Sequence, residues 1–183
     1  MRIFQFDFDV DRYQMFYFDG PEDVIWFNGD PMRDVWVPPK VHILEPRLKR
    51  GNFLFLQPGM MVVDERARTE LAGFLEPSGE LLPFDYKGER FWALNVTTCI
   101  DALDEDRTEW QIGQTTGARI GIERYAFHAH RLTGTPIFKI PETSRAYLYT
   151  MSGWKDPEDE FVFNVQKRGL KGLRFDEVWS DDS

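Results

Sequence analysis

The stretch over residues 156–179 constrains the fold most, because a helix start, a helix end and a returning strand can all be read from its residue types. Asp156 can accept hydrogen bonds from the free amides of a first helical turn, and Pro157 fits the first helical position. Apolar residues then recur at helical spacing, and Gly169 can adopt the left-handed conformation that ends a helix. The pattern predicts a helix over about 156–168, followed by a half-buried strand.

An earlier stretch has the same order of signals. Asp64 can cap a helix, apolar residues follow at helical spacing, and a Pro-Ser-Gly turn leads into another apolar run. This predicts a second main helix over about 64–75. At 183 residues and without a Pro/Ser-rich linker, the chain is expected to form a single α+β domain over 1–183 with a mixed, mostly antiparallel sheet. Residues 180–183 are expected to be a frayed tail.

Strict alternation marks the first predicted strand. Apolar residues at 4, 6, 8 and 10 alternate with polar ones, so Asp7, Asp9 and Asp11 are expected on an outer, solvated face. A calcium loop starting at Asp7 is excluded, because its sixth and twelfth positions are Arg12 and Phe18 instead of glycine and glutamate. An Asp-x-Asp pair on a strand also opens phosphatases that form an aspartyl phosphate, so this reading is kept as an alternative.

Further strands are predicted from short apolar runs between turn residues. Residues 13–18 and 24–27 indicate two of them, and the mostly apolar run over 91–96 indicates a central strand. A long strand with a bulge is predicted over 119–132. Between the last two, five carboxylates form the densest negative run in the middle of the chain, and Arg107 is the only basic residue within this run. The carboxylates are Asp101, Asp104, Glu105, Asp106 and Glu109.

The net charge of −9 opposes binding to nucleic acid or to anionic membranes and favours a basic partner. The single Cys99 cannot form an internal disulfide, which fits a reducing compartment. No run approaches the roughly 20 apolar residues that span a bilayer, and acids stand where a signal peptide would be apolar. The sequence therefore predicts a cytoplasmic protein.

A catalytic group is not evident from spacing. His128 and His130 would share one face of a strand and could hold a metal with a third ligand, but His42 is distant in sequence. Cys99 lacks the local signature of an activated nucleophile, and no Gly-x-Ser-x-Gly elbow is present. We therefore expect no enzyme activity and no cofactor. The alternative is a metal-dependent hydrolase or phosphatase that uses the pair at 7 and 9 or the two histidines.

Six parts of the chain together resemble a bacterial protein family. They are residues 33–41, 75–83, 94–97 with 101–104, 122–125, 136–141 and 169–179. In order and content they resemble the myxobacterial-type immunity protein family of bacterial polymorphic toxin systems, long catalogued as a domain of unknown function.

The resemblance implies an immunity protein that binds a cognate toxin and blocks its active site without catalysis. It brings no catalytic residues, and toxin specificity would lie in exposed loops. Toxins that attack nucleic acid have basic clefts, and an acidic inhibitor gains association rate from complementary charge. The candidate partner-binding residues are therefore the two acidic groups, Asp101, Asp104, Glu105, Asp106 and Glu109 in one and Asp7, Asp9 and Asp11 in the other.

Overall fold

The computed structural model describes residues 1–21, 24–25, 27–132 and 134–181. The strands are β1 (Arg2–Phe8), β2 (Phe16–Phe18), β3 (Val41–Ile43), β4 (Phe53–Leu54), β5 (Met60–Asp64), β6 (Gly79–Tyr86), β7 (Glu89–Val96), β8 (Glu109–Ile112), β9 (Arg119–Arg124), β10 (Ile137–Phe138), β11 (Tyr149–Ser152) and β12 (Leu173–Ser180). The helices are α1 (Glu65–Glu70), α2 (Ala72–Leu75) and α3 (Phe161–Lys167).

Two four-stranded sheets carry the fold. Their strand orders are β10-β11-β1-β12 and β4-β5-β7-β6, and the pairs β2-β3 and β8-β9 form two smaller sheets. Every ladder between these strands is antiparallel, while the isolated bridges Tyr13–Lys49 and Cys99–Lys139 are parallel. The predicted α+β single domain with mostly antiparallel sheets is confirmed. β7 is an inner strand of its sheet, as the apolar run over 91–96 predicted.

Three hydrophobic clusters are layered with the two large sheets. The middle cluster joins both sheets and all three helices through residues such as Phe6, Val63, Leu71 and Phe161. A second cluster covers the other face of the β4-β5-β7-β6 sheet, and a third covers the other face of the β1 sheet. Because the middle cluster draws on both sheets, each sheet buries its inner face with the help of the other.

The predicted helix over 64–75 forms with a break. Asp64 caps it as predicted, since its carboxylate accepts a 2.8 Å hydrogen bond from the amide of Ala67. The backbone of Leu71 (φ −115°, ψ 16°) departs from helical geometry and separates α1 from α2. Leu71 itself is fully buried, so its side chain continues the predicted apolar stripe across the break.

The predicted helix over 156–168 begins later than expected. Asp156 caps only a single 3-10 turn, Pro157–Asp159, and the extended Glu160 precedes α3. The buried Glu160 carboxylate accepts hydrogen bonds from Ser152 Oγ and from the amides of residues 153–155. Satisfying these donors after β11 holds residue 160 extended, so α3 starts at Phe161. The predicted stop is confirmed, because Gly169 adopts φ +63°.

Other local predictions differ at the ends of elements. Ser180 is the last residue of β12, and the amino group of Met1 donates a 2.6 Å hydrogen bond to Asp181, so two residues of the predicted frayed tail have defined contacts. Residues 182 and 183 lie outside the described residues. Of the predicted strand over 24–27, residue 26 also lies outside them, and its described residues are not in a strand.

Candidate functional site

We refer to Asp101, Asp104, Glu105, Asp106 and Glu109 as the acidic segment. The first four lie in the loop before β8, and Glu109 begins β8. Basic side chains from later in the chain lie against four of them: Arg131 with Asp101 (3.9 Å), His128 with Asp104 (3.7 Å), Arg119 with Glu105 (2.5 Å) and Arg124 with Glu109. Arg107 is the only basic residue within the run, but β9 and the turn after it bring three more arginines to these acids. The local negative potential is correspondingly smaller.

The second predicted acidic group is divided by the fold. β1 ends at Phe8, and Asp7 pairs there with Arg174 of β12. Asp9 is buried and pairs with Arg12 at 2.6 Å, whereas Asp11 is exposed. The three carboxylates therefore do not share one solvated strand face. The physical reason is that β1 is an inner strand with a hydrophobic cluster on each face.

The histidine pair does not lie on a strand, because β9 ends at Arg124 and not at residue 132 as predicted. His128 precedes a 3-10 turn that contains His130, and their ring centroids are 5.7 Å apart. His42 is elsewhere and lies 2.7 Å from Asp19. Within the described ranges, no group of three or more His, Cys, Asp or Glu side chains is arranged to hold a metal ion.

A groove of about 390 Å³ separates the β8-β9 hairpin from the turn over 141–147. We call it the hairpin groove. Its apolar lining is Trp110, Ile120, Ile122 and Tyr147, and Glu105 of the acidic segment reaches its rim. Ile120 is 61% exposed and Tyr147 46% exposed, which is unusual for large apolar side chains clustered at one place. Exposed apolar groups that are rimmed by charges are typical of protein interaction surfaces.

Two buried polar atoms of the hairpin groove have no hydrogen-bond partner in the described structure. They are Nε1 of Trp110, a donor, and Oε2 of Glu142, an acceptor. An unsatisfied buried group costs on the order of 1–3 kcal/mol, and native proteins leave few of them. Trp110 and Glu142 both line the hairpin groove, but these two atoms are themselves buried, so a ligand could satisfy them only after neighbouring side chains move.

The Glu142 carboxylate lacks a cation. It lies in the 3-10 turn Pro141–Thr143, and no ion pair to it occurs within the described part of the chain. Burial raises the pKa of the Glu142 carboxyl, and the negative charges of Asp101 and Glu105 raise it further. Like charges around a partly buried carboxylate are relieved by an incoming cation. The negative charge around Glu142 therefore favours binding of a basic group in the groove.

Arg119 shows what such a group would contact. Its guanidinium lies 4.1 Å from the centre of the Trp110 ring and donates a 2.5 Å hydrogen bond to Glu105. The side chains of Arg119 and Glu105 are each about half exposed. Exposed ion pairs of this kind contribute little to stability, so Arg119 can leave the ring at small cost.

The opposite wall of the groove contains unusual backbone. Ser144 (φ 51°) and Arg145 (φ 57°) are consecutive residues in the left-handed region, which costs a residue with a side chain energy. Arg145 Nη1 donates a 3.0 Å hydrogen bond to the carbonyl of Asn28, which helps hold the turn. Glu142 and Tyr147, which flank these two residues in sequence, both line the groove.

A buried lysine lies next to the strand that leads into this turn. Lys139 is fully buried, and its Nζ donates a 2.7 Å hydrogen bond to the carbonyl of Phe27. Burial lowers the pKa of Lys139 to about 8. Cys99, bridged to Lys139 through the backbone, is partly buried, and burial raises the pKa of its thiol. A raised thiol pKa opposes reactivity, so we assign both residues a structural role.

No protein-family model matches the chain, and no curated protein matches it. In the described residues, the helices are too short and too polar to cross a bilayer.

Sequence reasoning missed most of the hairpin groove. Trp110, Arg119, Glu142 and Tyr147 were not among the predicted site residues, and of the acidic segment only Glu105 lines the groove. One signal was available, since Ile120 and Ile122 are two positions apart in a strand of otherwise polar residues and so lie on the same face. The other wall comes from about 20 residues later in the chain, and sequence spacing cannot show that the two walls meet.

Proposed function

We propose that this protein is an immunity protein, which binds a cognate bacterial toxin and occludes its active site without catalysis of its own. The observation that carries the proposal is the hairpin groove, where exposed apolar side chains surround two unsatisfied buried polar atoms. Protein interfaces concentrate their binding free energy in a few aromatic anchors within well-packed pockets. Trp110 and Tyr147 have the chemistry and the location of such anchors.

Charge favours a basic partner. The protein has a net charge of −9, so a toxin with a basic cleft would be attracted over a distance of about a Debye length, roughly 8–10 Å at moderate salt. The arginines beside the acidic segment limit its own contribution to this field. Electrostatics would therefore set the association rate, and the hairpin groove would supply the affinity.

The family resemblance supports the same function from a different direction. The matched segments include residues that the backbone geometry requires, such as Gly172 (φ +114°), where a Cβ atom would overlap the carbonyl oxygen of Phe53. By contrast, Trp110, Ile120 and the turn after Pro141 lie outside the matched segments. Recognition in loops on a shared scaffold allows one fold to bind different partners.

Co-expression tests the proposal. The product of the adjoining open reading frame is expressed in a sensitive host, and the protein should restore growth and form a complex with it. The double variant Ile120→Ala/Tyr147→Ala should lose about tenfold or more in affinity, because it removes two apolar groups at the centre of the interface. Val35→Ala/Val37→Ala removes two valines that are 73% and 74% exposed elsewhere and should leave affinity unchanged. Absence of protection by the wild-type protein would refute the proposed function.

A further inference from the structure

The hairpin groove already contains one guanidinium, and its contacts define a chemistry. Arg119 packs over the Trp110 ring at 4.1 Å and donates to the Glu105 carboxylate at 2.5 Å. Arginine is suited to both contacts at once, because its planar group stacks on aromatic rings while its edge donates to carboxylates. The groove is thus complementary to a guanidinium, and the chain's own Arg119 contacts Trp110 and Glu105 but leaves Glu142 Oε2 without a partner.

Two buried polar atoms of groove-lining residues remain without a hydrogen-bond partner. Arg119 does not provide the missing donor to Glu142 Oε2, and its guanidinium, which has no acceptor atom, cannot satisfy Trp110 Nε1. Both atoms are buried, so they become accessible only if Arg119, which packs over the Trp110 ring, moves away. A guanidinium supplied from outside could then donate to Glu142, and the backbone carbonyl of the same incoming residue could accept from Trp110. The arrangement of one orphan acceptor and one orphan donor therefore fits a residue of a polypeptide better than a free cation.

We propose that the hairpin groove binds an arginine side chain of the protein partner, which displaces Arg119 from Trp110 and pairs with Glu105 and Glu142. The identity of the partner as a toxin rests on the proposed function, but the arginine site does not. Two carboxylates and an aromatic face select the guanidinium over a lysine ammonium, which is a compact charge without a planar stacking surface.

Displacing Arg119 from the Trp110 ring should cost little free energy. Arg119 is about half exposed, and its pairing with Glu105 is at the surface. An incoming arginine adds contacts with the partly buried Glu142 carboxylate, where charge-assisted hydrogen bonds are stronger. The released Arg119 can remain in solvent beside the acidic segment.

A peptide titration tests the proposal directly. The probe is an acetylated and amidated Gly-Arg-Gly peptide, and the readout is the indole N–H resonance of Trp110, identified as the one absent from Trp110→Phe. We expect a saturable shift with the arginine peptide and binding about tenfold weaker with the isosteric, neutral citrulline peptide. Equal binding of the two peptides, or no binding of either, would overturn the arginine site.

Two variants with opposite expected effects on peptide affinity make the test more specific. Glu142→Gln should weaken arginine-peptide binding about tenfold, because it replaces a charge-assisted hydrogen bond with a neutral one. Arg119→Ala should strengthen binding about threefold or more, because it removes the internal competitor. Arg124→Ala is the matched control, since it removes the same charge from the same hairpin while leaving the groove lining intact, and binding should stay within twofold.

The direction in which Arg119→Ala changes peptide affinity distinguishes a binding role of Arg119 from a structural one. If Arg119 merely stabilised the hairpin, Arg119→Ala would weaken binding, and that result would refute the displacement. If Glu142→Gln does not fold, the Arg119→Ala arm decides alone. Peptide binding without protection from any toxin would overturn the proposed function and leave the arginine site intact, whereas protection without peptide binding would do the opposite.

Discussion

The buried ammonium of Lys139 should make stability depend on pH above neutrality. Burial disfavours its charged form and lowers its pKa from 10.5 to about 8. A folded-state pKa below the unfolded value means that the unfolded chain binds the proton more tightly. The free energy of unfolding therefore rises with pH between about 8 and 10.5, and the full cost of burying the charge is present below that window.

The size of the effect follows from the same two pKa values. One pKa unit corresponds to about 1.4 kcal/mol, so the whole window is worth about 3 kcal/mol. Between pH 7 and pH 9.5, the linkage relation gives an increase in the free energy of unfolding of about 2 kcal/mol. Urea denaturation at the two pH values measures it. The parent protein should carry Cys99→Ala, because the Cys99 thiol also titrates at alkaline pH.

Variants assign the pH response to one side chain. Adding Lys139→Met to the Cys99→Ala parent should abolish the 2 kcal/mol increase, because methionine fills the same space without a titrating group. Adding Lys155→Met, which removes an exposed lysine, should preserve it. An identical pH response in the parent and in the Lys139→Met variant would show that the ammonium is solvated in the folded state and refute the reasoning.

Three further predictions concern the scaffold and the acidic segment. Glu160→Ala should lower the free energy of unfolding by about 3 kcal/mol because several donors lose their acceptor, whereas Glu160→Gln, which keeps a carbonyl, should lower it by about 1 kcal/mol. Urea denaturation at pH 7 compares the two variants, and equal losses would contradict the role of the carboxylate. Gly172→Ala should prevent stable folding because its Cβ atom would overlap the carbonyl oxygen of Phe53, while Gly73→Ala in α2, where the Cβ atom meets open space, should stabilise the folded protein by roughly 0.5–1 kcal/mol. Similar thermal midpoints for the two variants would contradict the steric argument. Charge reversal of Asp104, Glu105 and Asp106 should slow association with the partner and flatten its salt dependence in stopped-flow experiments; unchanged kinetics would remove this surface from the interface.

Local chemistry accounts for what the sequence predicted well. The Asp64 cap, the Gly169 stop and the strands β1 and β7 depend on side chains within a few residues of the backbone they control. Capping and alternation act over that range, so they can be read without knowing the fold.

Long-range contacts account for what was missed. The late start of α3 depends on Glu160 accepting from amides that follow β11, and a helical pattern cannot contain that information. Similarly, Asp101 to Glu109 read as a negative run because their arginine partners lie 14 to 30 residues away in sequence. A charge pattern therefore indicates an acidic surface only after the fold has placed the basic residues.

The hairpin groove combines an exposed rim with a rigid base. Below the hairpin, Thr108 Oγ1 accepts a 3.2 Å hydrogen bond from the amide of Ala126, and the hydroxyl of Tyr125 donates to Gln5 of β1 at 3.0 Å. These contacts fix the base of the hairpin to the third hydrophobic cluster and to the β1 sheet. A preorganised surface loses little conformational entropy on binding, so its contacts convert more fully into affinity. The Trp110 side of the hairpin groove is thus attached to the packed scaffold, so a binding partner would find it already in place.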